Sequence, residues 1–402
     1  MRRWIAIPVI VFSMMALLIS STAAAPAAVK EGGVVMIGGM QPLSGAAAFE
    51  GKVAHIGVET AVQDINAAGG RIIGGKHYTF ATKCYDHRYT SEGGATAANK
   101  LVFDDKAKYI VGTIGSAPSL AAQAITEANN VLFMTTGWNK DVIGKKKPLS
   151  FRIYTGPDEF IGVVVAWVLK KHPEVKNVAI LAANDATGYG SAGPSKTYWE
   201  KAGIKVNSTD YFERGSSDFY PYLARYIDQK VDAIDLPGVA SDHEALICKQ
   251  ARELGFRGMI LGNGMMPDVI NKIAGQAAEG MVVRQGVPFG SKFATPAEEK
   301  WNNRCKQQYK LDQNMNFLSL SNYDATFMLV KAMEIAGTVD NPIAVAKALD
   351  NLKFVLPLGG IKTSFQGEKT YGVNRQLVRP LYIVQNQGGN WVVIDKVMPL
   401  VP

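Results

Sequence analysis

A short apolar run that stops at a loop of small residues and then turns helical constrains this chain more than any other pattern. The stretch Val34-Val35-Met36-Ile37-Gly38-Gly39-Met40-Gln41-Pro42-Leu43-Ser44-Gly45-Ala46-Ala47-Ala48-Phe49-Glu50-Gly51 carries it first. It reads as a buried strand, a Gly/Pro/Ser turn and the start of a helix. Val53, Ile56, Ala61 and Ile65 recur near every 3.6 residues and predict one buried helix face. Lys52, His55, Glu59 and Gln63 fall mostly on the other side. Such a strand end meets a helix N-terminus whose first backbone N–H groups have no partner within the helix. In an open α/β sheet, ligands bind at that carboxyl end of the strands.

The pattern then repeats. Strands are predicted at His77–Thr82, Tyr109–Ile114 and Val131–Met134, with helices from Gly94 to Phe103 and from about Ser116 to Asn129. Ser116 or Ala117 is the expected N-cap of the latter, with Pro118 in its first turn. Loops of small or hydroxyl residues follow three of the strands, as in Gly115-Ser116-Ala117-Pro118-Ser119 and Thr135-Thr136-Gly137-Trp138-Asn139. This alternation predicts a parallel, doubly wound sheet. After Phe151–Thr155 it restarts with a helix from about Asp158 to Lys171 and strands at Asn177–Ala182, Ile204–Tyr211, Val231–Leu236 and Met259–Leu261. Beyond Met281 come helices at Pro296–Tyr309 and Asn322–Ala336, then strands at Leu381–Val384 and Trp391–Ile394. No linker separates the halves, which predicts a chain that crosses between two lobes more than once around a cleft.

The N-terminus has the form of a secretion signal. Arg2 and Arg3 precede the apolar run Ile5–Ile19, and Ala23-Ala24-Ala25 offers a cleavage site. Residues 1–25 are therefore expected to be removed and the protein exported. Of the 402 residues, roughly 375 then remain, more than one core usually serves. The net charge of +8 falls to about +6 without Arg2 and Arg3, and it is scattered apart from Lys145-Lys146-Lys147, read as a solvated turn. Nucleic-acid binders concentrate basic residues among aromatics, so that class is set aside. Cys84, Cys248 and Cys305 lie far apart and are odd in number, so at least one thiol is unpaired within the chain and no zinc site is implied.

Catalytic signatures largely fail. Gly188 and Gly193 have P-loop spacing, but Pro194 stands where a Lys is needed. Gly188, Gly190 and Gly193 match a dinucleotide fingerprint with Asp210 beyond, yet four residues separate the strand from the first glycine, where a tight turn is required. His243-Glu244 lacks a second His, and no GxSxG elbow is present. The chain is read as a non-enzyme, with no cofactor and no metal.

Motifs spread over the mature chain carry a resemblance. They are Leu43-Ser44-Gly45, Asp64-Ile65-Asn66-Ala67-Ala68-Gly69-Gly70, Ala98-Asn99-Lys100-Leu101 and Asp185 with Tyr189-Gly190. Gln250-Ala251-Arg252 with Gly255, Ile273 to Met281 and Tyr323-Asp324-Ala325 complete the set. In order and spacing the chain resembles the branched-chain amino-acid type of periplasmic solute-binding proteins of ABC importers. The resemblance implies an α/β fold of two Rossmann-like lobes with parallel sheets, joined by three crossovers near residues 155, 285 and 380. It places residues 32–154 and 286–379 in one lobe and 155–285 and 380–402 in the other. It also implies a periplasmic monomer that closes on a small-molecule ligand and hands it to the membrane permease.

Carried over residue by residue, the resemblance puts Ser116, Ala117 and Thr136-Gly137-Trp138 against a ligand carboxylate. Tyr189 is the second-lobe tyrosine, with Asp185 organising its loop. Asn263 stands where relatives place an acid for a ligand ammonium, and Pro237-Gly238-Val239-Ala240 replaces a usual aromatic. Tyr89 and Gly115 occupy the positions of a family disulfide. Phe49 and Glu50 face the cleft, and Glu50 is a candidate to supply the charge that Asn263 lacks, or else a first-turn glutamate favoured by the helix dipole. The implied ligand is an amino acid or derivative. The alternatives are an aromatic or other organic acid or an amide, and a sensor subunit in place of a transport one.

Overall fold

In the computed structural model, which describes residue 1, residues 30–45 and residues 47–401, two sheets organise the chain. The secretion-signal reading falls outside the described residues. The first sheet has eight strands in the order Phe365–Gln366, Gln376–Leu377, Ser150–Arg152, Leu132–Thr135, Tyr109–Val111, Lys30–Gln41, Lys76–Asp86 and Arg71–Ile73. Its centre is parallel, with Ile37 opposite both Thr82 and Tyr109, and Val111 opposite Met134. The second has seven, in the order Asn390–Val397, Leu381–Gln387, Val282–Gly286, Met259–Gly262, Ala233–Asp235, Asn177–Ala183 and Lys205–Phe212. Helices cover both sheets, so central strands such as Tyr-Ile-Val at 109–111 are buried throughout and read as continuous apolar runs.

The chain passes between the sheets three times, between Arg152 and Pro157, between Gly286 and Pro296, and between Leu377 and Leu381. After the second passage, Trp301 and Cys305 pack with Val53, Ile56 and Ala61, and the Trp301 indole N–H donates to Thr60 Oγ1 at 3.1 Å. In each sheet the earliest strand lies inside, between Tyr109–Val111 and Lys76–Asp86 in one and between Ala233–Asp235 and Lys205–Phe212 in the other. These are topological switch points, where neighbouring connections leave in opposite directions and open a crevice. The sequence Thr113 to Ser116 leaves one crevice, and Asn184 to Thr187 leaves the other.

Several local expectations change. The helix Ala48–Ala67 buries Val53, Ile56, Ala61 and Ile65 as predicted, but also His55, because the helix Phe317–Ala336 packs along its second side. The two approach so closely that a Cβ on Gly57 would stand 2.1 Å from the Ser319 carbonyl oxygen. Burial holds the His55 imidazole down to about 4. The helix Ser116–Thr126 is capped by Gly115 rather than by Ser116 or Ala117, since its φ of 94° suits glycine. Phe317 rather than Asn322 opens its helix, with the Asn316 side chain accepting from the Ser319 N–H. Lys147 of the triple lysine folds back onto Gln123 Oε1 at 2.8 Å. All three cysteines are free thiols.

Candidate functional site

The two crevices face each other and the lobes touch between them. The Ser116 N–H, at the start of its helix, donates to Thr187 Oγ1 of the opposite lobe at 2.9 Å. Tyr89 reaches across the same gap, its hydroxyl 3.3 Å from Thr187 Oγ1 and its ring beneath the Arg214 guanidinium at 4.2 Å. Asn139 Nδ2 donates to the Ala186 carbonyl at 3.3 Å. Between these contacts lies a cavity of about 20 Å³. That is room for about one water. Ile114, Trp138, Met265, Phe317 and Leu318 give it an apolar wall, and Tyr89, Thr136 and Thr187 the polar groups.

Of the residues proposed from sequence, Thr136 and Trp138 line the cavity. Ser116 lies fully buried beneath them and ties the loop together, its Oγ accepting from the Trp138 and Asn139 N–H groups at 3.0 and 2.9 Å. Gly137 N–H donates to Thr135 Oγ1 at 2.9 Å and Thr136 Oγ1 to the Thr113 carbonyl at 2.9 Å. The donors offered to a ligand carboxylate are thus already bonded within the protein in this arrangement. Ala117 is half-buried beside them. Trp138 stacks edge-on to Phe160 of the other lobe, with ring centroids 5.4 Å apart. Its carbonyl accepts from Arg152 Nη1 at 3.3 Å.

Glu50 crosses the cleft as well. It is buried, and its Oε1 accepts from the Ser241 N–H at 3.3 Å. Ser241 begins a helix whose N-cap, Ala240, has no side chain able to cap, so a glutamate from the opposite lobe takes that part. Burial, with the Asp242 carboxylate near it, raises the Glu50 carboxyl above the ordinary glutamate range. Phe49 turns outward and is 55% exposed, because the chain enters this helix through Ala47 at a φ of 58°.

Asn263 is fully buried. Its Nδ2 donates to the Leu236 and Val239 carbonyls at 3.0 Å each, and its Oδ1 has no hydrogen-bond partner among the described residues. Glu244 accepts the Asn263 and Gly264 N–H groups at 2.5 and 3.1 Å, and burial pushes its carboxyl up to about 8. Asp185 organises its loop, its Oδ1 accepting from the Thr187 and Gly188 N–H groups at 2.9 Å while Oδ2 pairs with Arg214. Tyr189 does not line the cavity. It is 51% exposed, bonds Asn184 Oδ1 and packs on Tyr211 with centroids 4.7 Å apart.

Sequence reasoning missed Thr187, Met265, Phe317 and Leu318, and assigned Tyr89 no part in binding. A signal for Tyr89 was present. Tyr89 and Gly115 were paired only as the positions of an absent disulfide, and they do meet, since a Cβ on Gly115 would stand 2.8 Å from the Tyr89 ring.

The chain belongs to the periplasmic binding protein family, which it matches over residues 34–390. It is 27% identical over 81% of its length to the leucine-, isoleucine-, valine-, threonine- and alanine-binding protein of Pseudomonas aeruginosa, covering 85% of that relative. It is 28% identical over 90% of its length to a Leu/Ile/Val-binding protein of Rhizobium johnstonii, covering 92% of that protein. In fold it is similar to the leucine-binding protein of Thermotoga maritima, with a TM-score of 0.77 and 22% identity over 92% of this chain and 99% of that one. A solute-binding protein of Rhodopseudomonas palustris in complex with 3,4-dihydroxybenzoic acid gives 0.75 and 20% identity, over 92% and 97%. The fold is therefore that of type I periplasmic binding proteins. No helix among the described residues is long and apolar enough to cross a membrane.

Proposed function

We propose that this protein is the exported receptor of an ABC importer, capturing a small carboxylate-bearing solute between its lobes and presenting it to the permease. The observation that carries the reading is the placement of both switch-point crevices on one cavity, with Ser116 and Thr187 in direct contact across it. An amino acid or a derivative is the first ligand class, in keeping with the names of the relatives above. An aromatic or other organic acid is the second, favoured by the Trp138, Phe317 and Leu318 wall and by the internal bonding of the Trp138 and Asn139 N–H groups.

Residues 32–154 with 286–379 form one closing body in this reading, and 155–285 with 380–402 the other. Ser116, Ala117, Thr136, Gly137 and Trp138 grip the solute from the first lobe once the lobes part. Glu50, Ala240 and Asn263 shape the opposite end, and Phe49 and Tyr189 form the rim. The protein works as a monomer and hydrolyses nothing itself.

A thermal-shift screen of the mature protein against amino acids, aromatic acids, amides and polyamines tests this. A solute at about a hundred times its Kd should add about 2.7 kcal/mol of stability. Binding by no class, together with turnover of a solute, would refute the receptor role.

A further inference from the structure

A second cavity of about 70 Å³ lies next to the first, and Met265 lines both. Its walls are mainly apolar, from Val287, Phe289, Met315 and Trp391, with Asn314 and Asp268 adding polar edges. The Trp391 indole N–H is buried and has no hydrogen-bond partner among the described residues. Neither cavity holds an amino acid by itself.

Met265, which lines both, is the less tethered of two adjacent methionines. Met266 is buried and held, its N–H donating to Ser241 Oγ at 2.9 Å and its Sδ accepting from Asn316 Nδ2 at 3.4 Å. Met265 is half-buried, and among the described residues neither its backbone nor its sulfur has a comparable bond. An unbranched thioether with three rotatable bonds changes shape at little cost.

We propose that the two cavities are one ligand site divided by the Met265 side chain. The polar end of the solute lies beside Thr136 and Thr187, and its apolar body passes Met265 into the second cavity. There the Trp391 N–H meets a hydrogen-bond acceptor at the far end. The ligand class is then an elongated acid or amino acid with an apolar or aromatic body and a distal oxygen. This rests on the receptor reading above.

Calorimetry on the mature wild type, Met265→Ala, Met265→Trp and Trp391→Phe tests it, using acetate, benzoate and 3-(4-hydroxyphenyl)propionate with glycine, L-leucine and L-tyrosine. The wild type should favour the long member of whichever series it binds. Met265→Trp should weaken that member about tenfold, as closing an apolar pocket does, and Met265→Ala should not weaken it. Trp391→Phe should weaken the hydroxylated probe alone. Short and long probes responding equally to both Met265 variants would overturn the divided site and leave the receptor reading standing, with Met265→Ala deciding if Met265→Trp does not fold. Binding of none of the probes by a wild type that the wider screen shows to bind another solute would overturn only the ligand class. Absence of binding in both experiments would overturn the divided site, and turnover of a solute alongside it would overturn the receptor reading as well.

Discussion

On the receptor reading, the Ser116 hydroxyl serves two ends. With its Oγ accepting two buried N–H groups, Ser116→Ala should lower stability by about 1–3 kcal/mol as well as weakening a carboxylate ligand. Urea unfolding beside calorimetry separates the two effects, and an unchanged unfolding midpoint would contradict the geometry. Glu244 makes a second prediction. Its carboxyl is raised from 4.5 to about 8 by burial, so the folded chain holds its proton more tightly than the unfolded one. The stabilisation is complete below about pH 4.5 and is lost as the pH rises toward 8. The melting temperature should therefore fall across that window, and Glu244→Gln should flatten the fall; identical curves would argue against it. Neither residue's bonding was legible beforehand, since a serine or glutamate near a helix start has the same local signature whether it caps, binds or bridges.

At the scale of elements, the passages between sheets are tied by side chains. Thr155 Oγ1 donates to the Arg379 carbonyl at 3.1 Å and accepts the Arg379 N–H at 2.8 Å, joining the first and third passages. Arg379 also pairs with the buried Asp324 at 2.7 Å. Thr155→Val keeps the shape and removes both bonds, leaving two buried backbone groups unpaired. It should cost about 2–4 kcal/mol in chemical unfolding. A cost below about 0.5 kcal/mol, within the range of neutral surface changes, would mean that the tie is not made. Most elements were legible because a parallel sheet under helices leaves short apolar runs punctuated by small residues. The helix Pro342–Asp350 was missed despite an Asn341-Pro342 start, and the π-helical turn Lys100–Asp104 was read as ordinary helix. Such a bulge follows from packing on the sheet rather than from a residue pattern.

For the whole molecule, the two-lobe plan followed from length and from the restart of the pattern after Thr155. The contacts that join the lobes did not, because Tyr89 and Thr187 lie 98 residues apart and Glu50 and Ser241 191. Which side chains meet across a cleft depends on how two finished lobes are oriented, and no local period encodes that. Opening must break the Ser116–Thr187, Glu50–Ser241 and Tyr89–Arg214 contacts, and only a solute that touches both lobes better than they touch each other shifts the balance. Small-angle X-ray scattering with increasing amounts of a solute found by the thermal screen tests this most directly. The radius of gyration should fall to a plateau as the site fills. A radius that stays constant or grows, while calorimetry shows the same solute bound, would contradict it.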